Sequence, residues 1–127
     1  INSTEKALEK GILEVKSGVR VGDISCAIQG YSEGLGYSVV KQYVGHGIGR
    51  ELHEEPQIPN YGKKGLGPIL SSGMVIAIEP MLTIGKSDTM LLDDGWTVAT
   101  ADGSLSAHFE ETVAITSSGS EILTQVK

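Results

Sequence analysis

Two histidines stand seven residues apart in a glycine-rich segment that ends at a proline. They are His46 and His53, within residues 43–56, and alternating glycines surround the first of them. Glycines permit close approach of another backbone or of a ligand. A histidine in a tight loop can also simply be satisfied by hydrogen bonds, but this glycine spacing favours His46 as a ligand.

Two glutamates at the ends of predicted strands add carboxylates to the imidazole. Glu79 closes the apolar run 74–78, and Glu110 lies in the alternating segment 106–115. Either one alone is typical of a solvated strand end, yet burial next to an apolar strand is costly unless the charge is paired or metal-bound. Imidazole and carboxylate without thiolate suit manganese, iron, cobalt or zinc. The sequence therefore predicts a metal site at His46, Glu79 and Glu110.

Alternation along each strand indicates which acids share a face. In residues 74–79 the larger apolar side chains alternate with Glu79, and in residues 106–115 the apolar set includes Glu111 and alternates with Glu110. If helices cover the apolar face, Glu79 and Glu110 point into the opposite, open face. Glu111 is expected on the other side.

The periodicity predicts an α+β fold with two amphipathic helices packed on an antiparallel sheet. One helix is expected at 4–16, and a second from Gly22-Asp23 to the glycines at 34 and 36. Residues 50–73 are predicted to be loop because of their proline and glycine content. Strands are expected at 38–44, 74–79, 81–85, 88–93, 95–100, 105–115 and 121–125.

Several other polar residues favour structural interpretations. The segment from His53 to Gln57 is not the helical zinc-protease motif, because Gln57 replaces the second histidine and Pro56 breaks a helix. His108 is expected to be a surface strand residue, and Trp96 a core or hairpin aromatic.

Bulk properties predict one domain over residues 1–127. The formal net charge of -6, from 10 basic and 16 acidic residues, argues against nucleic-acid binding. No apolar run is long enough for a membrane span. The single cysteine, Cys26, is interpreted as a small buried thiol, and a reducing, cytoplasmic location is expected.

The order of the His46 segment, Ile78-Glu79-Pro80-Met81 and Ser106–Thr112 resembles the type I methionine aminopeptidases nearly end to end. It resembles their C-terminal half, because the two metal-binding aspartates and one histidine of that family lie upstream. The start at Ile1, inside a helical pattern, is interpreted as a cut end. The resemblance implies one half of a pita-bread fold with a two-metal centre in the crevice between the halves.

The resemblance also implies roles for individual residues. His46 and Glu79 would bind one ion, Glu110 would bridge two divalent ions (Co, Mn, Fe or Zn), and Glu79 would take a proton from the metal-held water. His53 would contact the substrate near the scissile bond. Leu52 and Trp96 would form walls of the pocket for the N-terminal methionine of peptides and nascent proteins.

Two positions depart from the pattern of that family. Leu52 stands where many members have phenylalanine, and Glu111 where many have histidine. Neither change removes a ligand, although the first can reshape the pocket and the second adds negative charge beside Glu110.

The ligand count leads to a hypothesis about activity. Three ligands can hold one ion, but a bridged pair needs further carboxylates, so the chain is expected to be a fragment with little activity alone. It is also expected to self-associate or to pair with the missing N-terminal half. The alternatives are a non-catalytic pita-bread binding module and a relative of the X-Pro aminopeptidases.

Overall fold

A computed structural model describes residues 1–126 as two helices followed by ten strands. Neither helix has the length and apolar character required to cross a bilayer, within these residues. The helices are α1 (Asn2–Leu13) and α2 (Val21–Gly34). The strands are β1 (Ser38–Val39), β2 (Gly45–Ile48), β3 (Glu54–Ile58), β4 (Val75–Ile78), β5 (Met81–Thr83), β6 (Thr89–Leu91), β7 (Val98–Thr100), β8 (Ser106–His108), β9 (Glu111–Thr116) and β10 (Gly119–Ile122).

The two helices pack on each other and on one face of the sheet. A Cβ on Gly11 would meet the side chain of Ile28 at 2.8 Å, so the glycine permits the close helix crossing. Ile76 and Ile78 of β4 are fully buried beneath the helices, together with Val113 of β9. The predicted α+β arrangement, with two helices on an antiparallel sheet, is confirmed.

The first helix begins and ends earlier than the predicted 4–16. It ends at Leu13, and the amide of Val15 bonds the Ile12 carbonyl at 2.9 Å in a tightened last turn. Val15 is still buried, and Gly18 follows with a positive φ of 93°. The helical spacing of buried side chains therefore extends past the helical backbone.

The strands form two main antiparallel sheets and a separate hairpin. The larger sheet has the order β10-β9-β4-β2-β3, the smaller has the order β1-β5-β8, and β6 pairs with β7. The predicted strand 88–93 and its neighbour 95–100 are these shorter hairpin strands, joined by a turn in which Gly95 has a φ of 68°.

The predicted loop at 50–73 and the predicted strand at 38–44 are wrong in part. Strand β3 lies inside the loop range, because Pro56 occupies an edge strand, where a missing N–H costs no ladder hydrogen bond. The strand prediction at 38–44 covers only β1, and pairing resumes at Gly45 in a different sheet. The closing strand begins at Gly119 and ends at Ile122, earlier than the predicted 121–125.

Two predicted strand regions cross from one sheet to the other. The chain leaves β4 at Glu79 and enters β5 at Met81, and the predicted strand 105–115 breaks between β8 and β9. The two breaks face each other, since Ile78 pairs with Glu111 and Met81 pairs with His108. Both carboxylates of the predicted site therefore lie at the junction of the two sheets.

Candidate metal centre

The junction of the sheets brings together an imidazole and two carboxylates. His46 lies in β2 opposite Ala77, Glu79 directly follows β4, and Glu110 directly precedes β9. One potential ligand atom from each of the three side chains lies within 4.8 Å of the others. The three residues predicted to bind metal thus share one location, whereas Glu111 is not in this group.

The orientation of His46 is set by its own backbone. Its Nδ1 lies 2.9 Å from the Gly47 carbonyl oxygen, and this nitrogen must carry the proton to make the hydrogen bond. In the neutral ring, Nε2 then keeps its lone pair, and it lies 3.5 Å from Oε1 of Glu79. A lone pair and a carboxylate oxygen face each other with no hydrogen between them, which is an arrangement that a cation stabilises.

Glu79 is held from both sides. Its main-chain carbonyl accepts a hydrogen bond from Nδ2 of the buried Asn60 at 3.3 Å. Its side chain is only 14% exposed, and its two oxygens lie next to two different imidazoles. The carboxylate therefore has little freedom to turn away from the junction.

The second imidazole belongs to His108, for which the sequence predicts only a surface strand position. Its Nε2 lies 3.4 Å from Oε2 of Glu79. The hydrogen bond that His108 donates to Glu79 raises the pKa of His108, burial opposes that rise, and the charges of Glu79 and Glu110 add to it. The sequence does carry one indication that His108 is near the site. It lies two residues before Glu110, so the two side chains are expected on the same face of the predicted strand.

The donor set fits a divalent cation. Protein ligands lie about 2.0–2.2 Å from a tetrahedral ion such as zinc, so two ligand atoms of one ion are about 3.3–3.6 Å apart. The 3.5 Å between Nε2 of His46 and Oε1 of Glu79 matches this spacing. Small side-chain movements would close the widest separation in the group, 4.8 Å, to the same value. One imidazole with two carboxylates suits borderline ions rather than the soft copper(I) ion.

Backbone contacts at two glycines fix the strand that carries His46. A Cβ on Gly45 would overlap the carbonyl oxygen of Ala77, and one on Gly47 would overlap that of Glu55. The β2–β3 register shifts between His46 and Gly47, so the two residues 55 and 56 are left out of the pairing. Such a β-bulge changes the direction in which a neighbouring side chain points, here that of His46.

Replacing Gly47 with alanine is expected to lower the free energy of unfolding by about 1–3 kcal/mol, because the added methyl group must displace the Glu55 backbone. The same change should weaken metal binding through His46. Gly30→Ala is the matched control, since nothing lies within 4 Å of that site in α2 and the change should stabilise by about 0.5–1 kcal/mol. Chemical denaturation of both variants measures the difference, and equal stabilities would refute the close-packing argument.

A cleft of about 860 Å³ opens over the three residues. His53 lies on its wall, with its ring centroid 4.1 Å from that of His46. Trp96 on the β6–β7 hairpin also lines the cleft and is 87% exposed, so it is not a core aromatic. Leu52 is 68% exposed and is not among the residues that line the cleft, so its predicted place in the pocket wall is not supported by its position.

The sequence profile of metallopeptidase family M24 matches residues 1–117. The chain belongs to this family. A methionine aminopeptidase of Clostridium perfringens is 55% identical over 127 residues, which cover 100% of this chain and 51% of that protein. The crystal structure of methionine aminopeptidase from Thermotoga maritima superimposes with a TM-score of 0.97 at 52% identity, and the match covers 99% of this chain and 51% of that one.

The chain spans about half the length of the relatives it matches. The predicted resemblance to the C-terminal half of the type I methionine aminopeptidases, and to the pita-bread fold, is confirmed. An X-Pro aminopeptidase from Thermotoga maritima has a TM-score of 0.71 at 22% identity, covering 99% of this chain and 30% of that chain. That likeness shows the shared fold alone.

Proposed function

We propose that this M24 chain carries one half of the metal centre of an aminopeptidase that removes N-terminal methionine. The observation that supports the proposal most strongly is the convergence of His46, Glu79 and Glu110 within 4.8 Å. The relatives named methionine aminopeptidases match the whole chain over about half of their own length.

The three residues would hold the metal in different ways. His46 and Glu79 would hold one divalent ion together, since their facing atoms lie 3.5 Å apart, and Glu110 would contribute a carboxylate to that ion and to a second one. When bound, such ions polarise a peptide carbonyl and make water acidic enough to attack it near neutral pH. Cobalt, manganese, iron and zinc all suit this donor set.

Glu79 and His53 would act on protons and on the substrate. Glu79 has a second carboxylate oxygen besides the one next to His46, so it can accept a proton from the attacking water. His53 contacts His46 on the cleft wall with its ring tilted, and its imidazole can donate a hydrogen bond there to the carbonyl oxygen of the substrate. Together they would support attack on the first peptide bond.

The cleft would accept the methionine side chain on its apolar wall. Met81, Val98 and Trp96 line the same cavity as the metal-site residues. An unbranched thioether can fill an irregular apolar space and contact an aromatic ring favourably. Leu52 would contact substrate only after movement of the exposed 49–53 segment.

We also propose that two-metal catalysis needs ligands from outside this chain. No fourth acidic, histidine or cysteine side chain among residues 1–126 joins the group of three. A bridged pair of ions requires more donors than these. The isolated chain should therefore bind a single ion, more weakly than a complete two-metal centre would, and show little hydrolysis.

Methionine release from a methionine-alanine-serine peptide tests the proposal. The chain is assayed with cobalt or manganese, first alone and then mixed with the N-terminal half of the Clostridium perfringens relative. We expect activity to rise from near background to a measurable rate on mixing. Robust release by the chain alone, with two ions per chain, would refute the missing-ligand proposal. Metal binding absent even from the mixture would favour a non-catalytic module.

We propose that the chain also associates with itself through exposed apolar side chains of the β6–β7 hairpin. Trp96, Leu91 and Met90 of the β6–β7 hairpin are 87%, 57% and 48% exposed. Apolar area of this kind, grouped on one element, favours association with another surface. Sedimentation over a range of concentrations should show dimers or larger species, and a Trp96→Ser variant should shift the distribution towards monomer. A monomer at all concentrations would refute this proposal.

A further inference from the structure

We infer that His108 is a positioning residue for Glu79, which acts by donating its Nε2–H to Oε2 of that carboxylate. This inference rests on the proposed metal site, because it concerns how strongly Glu79 binds the ion. His108 would not touch the metal or the substrate itself. It would act on metal binding by fixing the orientation of the Glu79 carboxylate.

The two oxygens of Glu79 have different neighbours. Oε1 lies 3.5 Å from Nε2 of His46, and Oε2 lies 3.4 Å from Nε2 of His108. The Nδ1 proton of His46 is committed to the Gly47 carbonyl, so that ring presents a lone pair to Oε1. No such backbone bond to the ring of His108 occurs among residues 1–126, so its Nε2 is free to carry the proton. The imidazole of His46 would therefore share a cation with Glu79, and the imidazole of His108 would donate a hydrogen bond to the Glu79 carboxylate.

The place of His108 is fixed by the backbone. His108 pairs with Met81 across β8 and β5, and the amide of Phe109 donates to the Pro80 carbonyl at 3.3 Å. Both contacts involve the two residues that directly follow Glu79 in the chain. The imidazole therefore stands beside the carboxylate because of strand register, although its side chain is 44% exposed.

A donor on Oε2 has a specific consequence for metal binding. When Oε1 binds the ion, Oε2 still carries negative charge in a side chain that is only 14% exposed. A charged oxygen that loses water needs a hydrogen-bond donor, or its burial is costly. The donor also stops the carboxylate from rotating, and outer-shell partners of this type typically change metal affinity about 10–100-fold.

Three substitutions test the inference by calorimetric titration of the whole 127-residue chain with Co²⁺. Glutamine places an amide nitrogen where Nε2 of histidine lies, whereas asparagine places it nearer the Nδ1 position. We expect His108→Ala and His108→Asn to weaken binding about 10–100-fold, and His108→Gln to stay within about threefold of the unchanged chain. The rescue by glutamine separates a donor from a direct ligand, because an amide is a poor replacement for an imidazole on cobalt.

Each other outcome counts against the inference. If the unchanged chain binds Co²⁺ and all three variants bind equally well, His108 is a surface residue and the proposed metal site is unaffected. If glutamine weakens binding as much as alanine, His108 is a ligand rather than a positioning residue. If the unchanged chain does not bind Co²⁺, the proposed metal site is wrong and the inference is overturned with it. Should the alanine variant fail to fold, the glutamine–asparagine pair still decides.

Discussion

Replacing Glu79 with glutamine is expected to weaken Co²⁺ binding by more than about 100-fold, since even outer-shell partners change affinity about 10–100-fold. The amide keeps the size of the carboxylate but loses its charge. Without metal the change should not destabilise the chain, because an amide N–H can donate to the lone pair of His46 that now faces a carboxylate oxygen. Titration calorimetry measures the affinity, and thermal unfolding in chelator measures the metal-free stability.

Glu121→Gln is the control for the loss of one negative charge. Glu121 is exposed on β10, in the edge strand of the larger sheet and outside the group of three. It should bind cobalt as the unchanged chain does. If Glu79→Gln bound cobalt equally well, Glu79 would not be a ligand. A large loss of metal-free stability would instead show that the carboxylate has a structural partner.

Substitution of the neighbouring acids Glu110 and Glu111 is expected to have very different effects on Co²⁺ affinity. Glu110→Gln should lower Co²⁺ affinity by about 100-fold or more, because Glu110 is one of the three converging side chains. Glu111→Gln should leave it nearly unchanged. Glu111 lies opposite Ile78 in the ladder and accepts a hydrogen bond from the Thr124 hydroxyl, which an amide oxygen can also accept.

The same titration compares the two variants directly, and circular dichroism checks that both remain folded. Since the two substitutions are identical in chemistry and adjacent in sequence, a general charge effect would lower affinity in both. Equal losses would therefore contradict the assignment of Glu110 over Glu111. A loss in Glu111→Gln alone would reverse it.

Strand alternation in the sequence is sufficient to distinguish the face of Glu110 from that of Glu111. The apolar positions of 106–115 indicate which residues face the helices, and Val113 and Ile115 are indeed buried in that core. Period-two patterning reports which face a side chain occupies, and not where a strand stops. The strand breaks at Glu79 and Glu110, where the chain passes from one sheet to the other, therefore cannot be predicted from the hydrophobic pattern.

Other features depend on long-range pairing that one sequence does not display. Strand β3 is not predicted because Pro56 is tolerated only by virtue of its edge position, which is a property of the assembled sheet. The contact of His108 with Glu79 is not predicted because strand alternation indicates the face of a side chain and not its partner on the neighbouring strand. The outward position of Leu52 is equally hard to foresee, since exposure in a bent loop follows from contacts that the loop fails to make.

Titration of the metal-free chain with Zn²⁺, followed by the ¹⁵N resonances of the histidine rings, tests the central claim most directly. Convergence of the three side chains predicts that one ion saturates the site, that Nε2 of His46 shifts as a metal-bound nitrogen, and that Nδ1 remains protonated by its bond to Gly47. Saturable binding that leaves Nε2 of His46 unchanged, or no saturable binding at all, would contradict it.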